Sequence, residues 1–368
     1  MNSELQRDLE RILERWTTSG EELGVQCAIW RHGELQASAC AGYCDKARTR
    51  PVSHDALFPV FSTGKTLFST LALRIVEKYG LSLDTKLGDY WPAFAAEGTR
   101  KSRITLRDAM RHTTGMHVMP AVESAKALVD WSGMCARLSS REPVWEPGTR
   151  TQYQALSYAW ILGEFLHRVT GVELGELMRR ELLEPLGISS EVFFGIPEDQ
   201  DPRIGEITVA DDMRKFLPPK SRESFLDPLY NALRIPCIRR ACLLSFNCIA
   251  NARGLARFGS ALLEGKLISP SLLKEATTLQ RPAGEAIPSE DQDIYWMVFG
   301  LGYILLAPPP WRGRLFGHHG WGGSELTLDQ QTGAVFAIVK NRLSSRVAQP
   351  MKTEIHALAD TLWDQERR

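Results

Sequence analysis

Ser62-Thr63-Gly64-Lys65-Thr66-Leu67-Phe68-Ser69-Thr70-Leu71-Ala72-Leu73-Arg74-Ile75-Val76-Glu77 sets a hydroxyl and an amine three positions apart at the head of a long apolar run. Leu67, Leu71 and Ile75 recur at helical spacing with Phe68, Ala72 and Val76 beside them, so the run predicts a helix that stops at Gly80. Residues three apart share a helix face, which brings the Lys65 amine within reach of the Ser62 hydroxyl. At the helix start Ser62 also meets unpaired N–H groups and the positive end of the helix dipole, both favourable to developing negative charge. An amine held on an apolar helix is poorly hydrated, and desolvation lowers its pKa toward that of a usable base. A serine with its own base is a candidate nucleophile.

The spacing alone is not specific. Ser271-Leu272-Leu273-Lys274 repeats it after Pro270, where the expectation is an N-cap serine beside a solvated lysine. Gly64-Lys65-Thr66 also suggests a phosphate loop, but that loop needs a glycine five positions before its Gly-Lys pair. Pro59 stands there, with no N–H to give a phosphate, and the nucleotide reading fails.

Two further segments turn the pair into a constellation. Glu146-Pro147-Gly148-Thr149-Arg150-Thr151-Gln152-Tyr153-Gln154-Ala155 is a turn that delivers Tyr153 just before a helical run from Leu156 to Val169, stopped by Gly171. Leu315-Phe316-Gly317-His318-His319-Gly320-Trp321-Gly322-Gly323-Ser324 leads into a strand, and its glycines let a backbone edge approach a ligand. The order Ser-x-x-Lys, Tyr-x-x, His-x-Gly resembles the serine β-lactamase and penicillin-binding protein superfamily, whose motifs run S-x-x-K, Y-x-N or S-x-N, and K-T-G. Within that superfamily the chain is most similar to the family VIII carboxylesterases, which commonly carry an imidazole in place of the K-T-G lysine. The resemblance runs from about Leu23 to Arg342 and includes Phe58-Pro59-Val60-Phe61 and Arg111-His112-Thr113-Thr114-Gly115-Met116.

The resemblance implies an α/β (α+β) fold of the β-lactamase/DD-peptidase type: an antiparallel sheet flanked by helices, plus a mainly helical lobe. The expected lobes are residues 1–60 with 281–368, which carry the sheet, and residues 61–280, with the active site between them. It also implies two-step acyl transfer. Lys65 with Tyr153 takes the Ser62 proton, backbone N–H groups of Ser62 and Trp321 form the oxyanion hole, and His318 orients the Tyr153 hydroxyl. Ala155, His319, Gly320, Trp321 and Asn247 are the expected substrate-facing positions, and no metal or organic cofactor is called for.

Departures from the family pattern narrow the substrate. Ala155 replaces the asparagine of Y-x-N and has no amide to hold an acylamino group. His318 replaces the lysine of K-T-G and is largely neutral at pH 7 unless its pKa is raised. Both changes remove groups suited to a peptide-like, carboxylate-bearing substrate, whereas Ser62, Lys65 and Tyr153 are kept. A small-molecule ester is therefore the expected substrate. The alternatives are a transacylase or cyclising thioesterase of natural-product biosynthesis, a D-amino-acid peptidase, amidase or β-lactamase, and a non-catalytic ligand-binding scaffold.

Composition adds bounds. A chain of 368 residues with 43% hydrophobic content can build a large core, and its 44 basic and 44 acidic side chains cancel, implying no nucleic-acid partner. No window reaches a membrane-spanning length, and Met1 to Trp16 reads as an amphipathic surface helix rather than a secretion signal. Seven scattered cysteines suggest free thiols and a cytoplasmic location, and oligomeric state is not encoded legibly.

Alternation predicts a hairpin of Val25–Trp30 and Leu35–Ala41, later strands at Tyr295–Leu306, Ser324–Leu328 and Ala334–Val339, and helices at Ala252–Leu263 and Met351–Trp363. Gly195 to Leu244, rich in proline, reads either as a lid or as a surface excursion. His112 and His117 read as loop packing rather than metal ligands. No G-x-S-x-G elbow or H-E-x-x-H motif occurs. Most tryptophans, including Trp296 and Trp311, read as core, whereas Trp321 follows His-x-Gly and overhangs the expected acyl pocket.

Overall fold

Val25, Cys27 and Ile29 alternate with Gln26, Ala28 and Trp30, which dictates a strand covered on both faces. In the computed structural model, which describes residues 1–214, 229–287, 298–305, 314–344 and 350–366, that segment is β1 (Gly24–Arg31), joined by a tight turn to β2 (Glu34–Gly42). The other strands follow in order: β3 (Phe58–Phe61), β4 (Val192–Phe194), β5 (Thr208–Val209), β6 (Cys248–Ala250), β7 (Leu315–His319), β8 (Glu325–Asp329), β9 (Ala334–Lys340) and β10 (Arg342–Leu343). The main sheet is antiparallel in the order β2-β1-β9-β8-β7, with Val25 opposite Lys340 and Ala28 opposite Ala337. β3, β6 and β4 form a smaller antiparallel sheet, and β5 pairs with β10 in parallel.

One face of the main sheet is covered by α1 (Ser3–Thr18) and the closing helix Pro350–Glu366. Leu5, Leu9, Ile12 and Leu13 pack there with Val25, Cys27, Ile29, Phe336, Ile338, Met351 and Ile355. The Asn2 side chain caps α1 by accepting from the N–H groups of Glu4 and Leu5, a contact that stabilises the helix by about 1 kcal/mol. The opposite face takes the helix Ala252–Leu263, and Ala28, Val335, Ala337 and Val339 merge there with the larger core. Gln26, the polar member of that face, is fully employed: its amide donates to the Ser53 and Ala56 carbonyls and accepts from the Ala252 N–H. Under the sheet's other half, Glu325 of β8 meets Lys352 at 2.8 Å and His356 at 3.0 Å, fastening the closing helix with a buried ion cluster.

α2 (Lys65–Tyr79) is the expected apolar helix, with Leu67, Phe68, Leu71, Ile75 and Val76 buried and Gly80 closing it at φ +63°. Three expectations need correction. The strand expected at Tyr295–Leu306 is not continuous over its described residues. The chain reverses at Gly300–Tyr303, where Gly302 takes φ +76° and the Leu305 N–H returns to the Val298 carbonyl. Ser271 is not the N-cap of its helix. Ser269 is, accepting from Leu272 N–H, because Pro270 fills the first helical position. The helix expected from Leu156 begins at Tyr158. Of the segment Gly195 to Leu244, residues 215–228, with Pro218, Pro219 and Pro228, lie outside the described residues, as do Trp296 and Trp311. Its described part is pinned by Asp201, which bridges Arg239 and Arg240 at 2.6 Å each. All seven cysteines are unpaired thiols, and no described helix is long and apolar enough to cross a membrane.

Candidate active site

Phe61 ends β3 with φ +50°, a left-handed conformation that costs a bulky residue of order 1–3 kcal/mol. This kink turns the chain abruptly into a single 3-10 turn, Ser62–Gly64, that runs on into α2. Gly64 must lack a side chain, since a Cβ there would lie 2.5 Å from Cys248 Cβ and 2.8 Å from the Phe194 ring. The half-buried Ser62 is thus presented at the head of the helix with β4 and β6 packed behind the turn.

Lys65 is completely buried, and its Nζ stands 3.2 Å from Ser62 Oγ, 2.8 Å from the Ala155 carbonyl and 2.5 Å from the Ser245 carbonyl. Burial holds the Lys65 pKa well below the usual lysine range. In the neutral amine two N–H bonds satisfy the two carbonyls, and the nitrogen lone pair is left for the Ser62 hydroxyl proton. Carbonyl oxygens cannot donate, so the geometry leaves Ser62 as the one proton source among these three partners.

Tyr153 arrives from the turn after Gly148, its ring 5.1 Å from Lys65 Nζ and stacked on Phe299 at 5.8 Å. Its hydroxyl lies 3.4 Å from His318 Nε2. His318 Nδ1 is 2.7 Å from the His319 carbonyl, which can only accept, so the ring carries its proton on Nδ1 and offers Nε2 as an acceptor. Burial, reinforced by Lys65 whenever that amine is protonated, pushes the His318 pKa well below the ordinary imidazole value and keeps the ring neutral.

Alternation along β7 buries His318 and leaves His319 half-buried on the next register position, and the structure brings His318 Nε2 to the Tyr153 hydroxyl. Gly320 follows in close contact with the segment that carries Ser62. A Cβ there would sit 2.1 Å from the Val60 carbonyl and 3.0 Å from Thr63 Oγ1, and Thr63 itself donates to the Ser324 carbonyl at 3.3 Å. Trp321 stands edge-on to Phe61, ring centroids 5.9 Å apart, beside the residue that precedes Ser62.

Asn247 does not face the site. It is wholly buried, its amide donating to the Ile238 and Ala241 carbonyls and accepting from the Leu243 N–H, so it braces the loop instead. What that loop contributes is the Ser245 carbonyl, a backbone acceptor with no sequence signature. Ala155 is exposed, and its carbonyl holds Lys65. His112, read above as loop packing, and Phe299, which no motif marked, wall the Tyr153 ring. Among the described residues, no group of three or more His, Cys, Asp or Glu side chains gathers to hold a metal.

The family model described as Beta-lactamase matches residues 9–360. The Esterase/beta-lactamase LipL of Mycobacterium tuberculosis is 30% identical over 88% of this chain and 78% of its own length. Two solved structures superpose over 98% of both chains: a family VIII carboxylesterase with a TM-score of 0.82 at 23% identity, and a penicillin-binding protein homolog from Caulobacter crescentus with a TM-score of 0.81 at 26% identity. The fold of the first, an antiparallel sheet flanked by helices, is the one described above. With a strained turn that presents a serine to a buried lysine, and with a family match across nearly its whole length, this chain belongs to the Beta-lactamase family.

Proposed function

We propose that this protein is a serine hydrolase that cleaves carboxylic esters through an acyl-enzyme on Ser62. One observation carries the proposal: a fully buried Lys65 whose amine is held by two carbonyls and directed at Ser62 Oγ, 3.2 Å away. Lys65 accepts the serine proton as the hydroxyl attacks the ester carbonyl, and the backbone N–H groups of Ser62 and Trp321 stabilise the oxyanion. The proton then passes by way of Tyr153 to the leaving alcohol, and Tyr153 activates water in the second step while His318 orients its hydroxyl.

Ester chemistry is favoured over β-lactam or peptide chemistry by two features of the site. Ala155 offers no side-chain amide to an acylamino group, and the neutral His318 offers no fixed cation to a substrate carboxylate. The name of the Mycobacterium tuberculosis relative, an esterase/β-lactamase, is consistent with either outcome and makes the comparison worth measuring. The test is turnover of p-nitrophenyl esters of graded chain length beside nitrocefin and a D-Ala-D-Ala peptide. Short-chain esters should turn over, and Ser62→Ala should abolish that turnover by on the order of a millionfold while Ser271→Ala leaves it unchanged. Nitrocefin hydrolysis as efficient as that of the best ester, or full ester activity in Ser62→Ala, overturns the proposal.

A further inference from the structure

His112 is completely buried, lies outside the constellation described above, and takes φ +63°, a left-handed conformation. Its position is over-determined by what it holds. The His112 carbonyl accepts the Gln152 N–H at 3.0 Å, and its ring Nδ1 accepts the Gln154 N–H at 3.4 Å. These two residues flank Tyr153. Thr114, two positions on, donates to the Gln154 side-chain carbonyl at 3.0 Å, and the Thr113 carbonyl accepts the Gly148 N–H at 2.9 Å. The ring itself meets Tyr153 edge-on at 5.2 Å and packs against Phe299 at 4.5 Å and Tyr158 at 4.8 Å, so the Tyr153 ring sits between His112, Phe299 and His318.

We propose that His112 is the positioning residue for Tyr153: it clamps the backbone on both sides of the tyrosine and braces its ring, setting where the hydroxyl meets His318 and Ser62. The proposal rests on the acyl-transfer role given to Tyr153 above. The clamp needs an acceptor at Nδ1, because the Gln154 N–H can only donate, and so it needs a neutral imidazole protonated on Nε2. The groups that face the ring are consistent with that state. They are the Lys65 amine, the Tyr153 and Tyr158 hydroxyl-bearing rings and, farther off, His318, and none carries a negative charge that would hold a proton on Nδ1. Burial lowers the His112 pKa, and Lys65 lowers it further whenever that amine is protonated. His112 Nε2 has no hydrogen-bond partner among the described residues, so what the ring offers Tyr153 is its Nδ1 acceptor and its flat body.

Two variants separate acceptor from shape. His112→Asn places an amide oxygen near the Nδ1 position and tolerates the left-handed backbone, but gives up the ring. His112→Phe keeps the ring and leaves the Gln154 N–H buried without an acceptor. Both are to be measured in the wild-type and the Tyr153→Phe backgrounds, with kcat and KM for the best p-nitrophenyl ester and a thermal melt showing that each is folded at the assay temperature. A misplaced acid–base group should lower kcat in His112→Phe by about tenfold to a hundredfold with KM changed less than threefold. His112→Asn should recover part of that loss. In the Tyr153→Phe background the His112→Phe change should alter kcat less than twofold, because the group it positions is gone. Equal kcat losses in both backgrounds would mean that His112 serves stability alone and would overturn the proposal. If the wild type turns over no ester, the same cycle is read on the rate of Ser62 labelling by a fluorophosphonate. A labelled wild type with no His112–Tyr153 coupling overturns the clamp, whereas an unlabelled wild type overturns the acyl-transfer reading itself.

Discussion

The Tyr153 hydroxyl and His318 Nε2 stand 3.4 Å apart with their polarity fixed from behind, since His318 Nδ1 is committed to the His319 carbonyl at 2.7 Å. The imidazole therefore accepts from the tyrosine, where a lysine could only donate to it.

This polarity makes His318 and its neighbour separable. His318→Ala should lower kcat more than it raises KM, since the lost contact supports the transition state, and His319→Ala should have the smaller effect on kcat. His318→Lys should shift preference toward esters bearing a free carboxylate. Steady-state kinetics on paired neutral and carboxylate-bearing esters read both effects, and a larger kcat loss in His319→Ala would reverse the assignment.

Lys65 dictates the acid limb of the pH–rate profile. Its pKa is lowered by burial, so the catalytically useful neutral amine persists far below the ordinary lysine range and is lost as pH falls through the depressed value. kcat/KM should accordingly fall as pH drops through the depressed Lys65 value, at a lower pH than an ordinary lysine would set. Lys65→Arg keeps the charge but not the titration, and should be nearly as damaging as Lys65→Ala. An active arginine variant would show that a positive charge is all the site requires.

Gly320→Ala tests the close approach of β7 to the nucleophile. The added methyl would press on the Val60 carbonyl from 2.1 Å, so β7 and the Trp321 backbone must withdraw from Ser62. A shift of about 1 Å in an oxyanion donor should cost on the order of a hundredfold in kcat. Thermal stability should fall as well, but ester binding measured by inhibition constants for ground-state analogues should change little.

Glu325 predicts the acid stability of the fold. Burial alone would raise its pKa, but the Lys352 ammonium and the His356 hydrogen bond together pull it well below the usual carboxylate range. A depressed folded-state pKa gives stability that is present above the unfolded value of about 4.3 and lost as pH falls toward the folded one. Glu325→Gln leaves the Lys352 charge unpaired, and should cost about 3 kcal/mol at neutral pH in denaturant unfolding. The variant should also lose the wild type's decline in stability below about pH 4.

Local physics made the Ser62–Lys65 pair legible. Ser62 and Lys65 share a helix turn, and the apolar face that buries Lys65 is written in the same sixteen residues. The alternation of β1 and β9 likewise announces two covered faces. Other parts were hidden for identifiable reasons. The Ser245 and Ala155 carbonyls that aim Lys65 are backbone atoms, which every residue type supplies equally. Asn247 was expected to face substrate on the family resemblance, but a buried amide serves a loop's backbone as readily as a ligand. The N-cap at Ser269 was within reach, since Pro270 at the first helical position marks the residue before it. Gly300 and Gly302 similarly mark the reversal that interrupts the expected strand.

Because β1 pairs with β9, residues some three hundred positions apart must meet before the main sheet is whole. During synthesis Ser62 and Lys65 leave the ribosome early, but the inner edge of β1 has no partner until Ala334–Lys340 has been made, and His318 on β7 arrives only shortly before that. A nascent chain therefore carries Ser62 and Lys65 through the synthesis of about 270 further residues before the strands that pack around them exist. The same long-range closure, which makes folding slow, is where a β edge stands unpaired for longest.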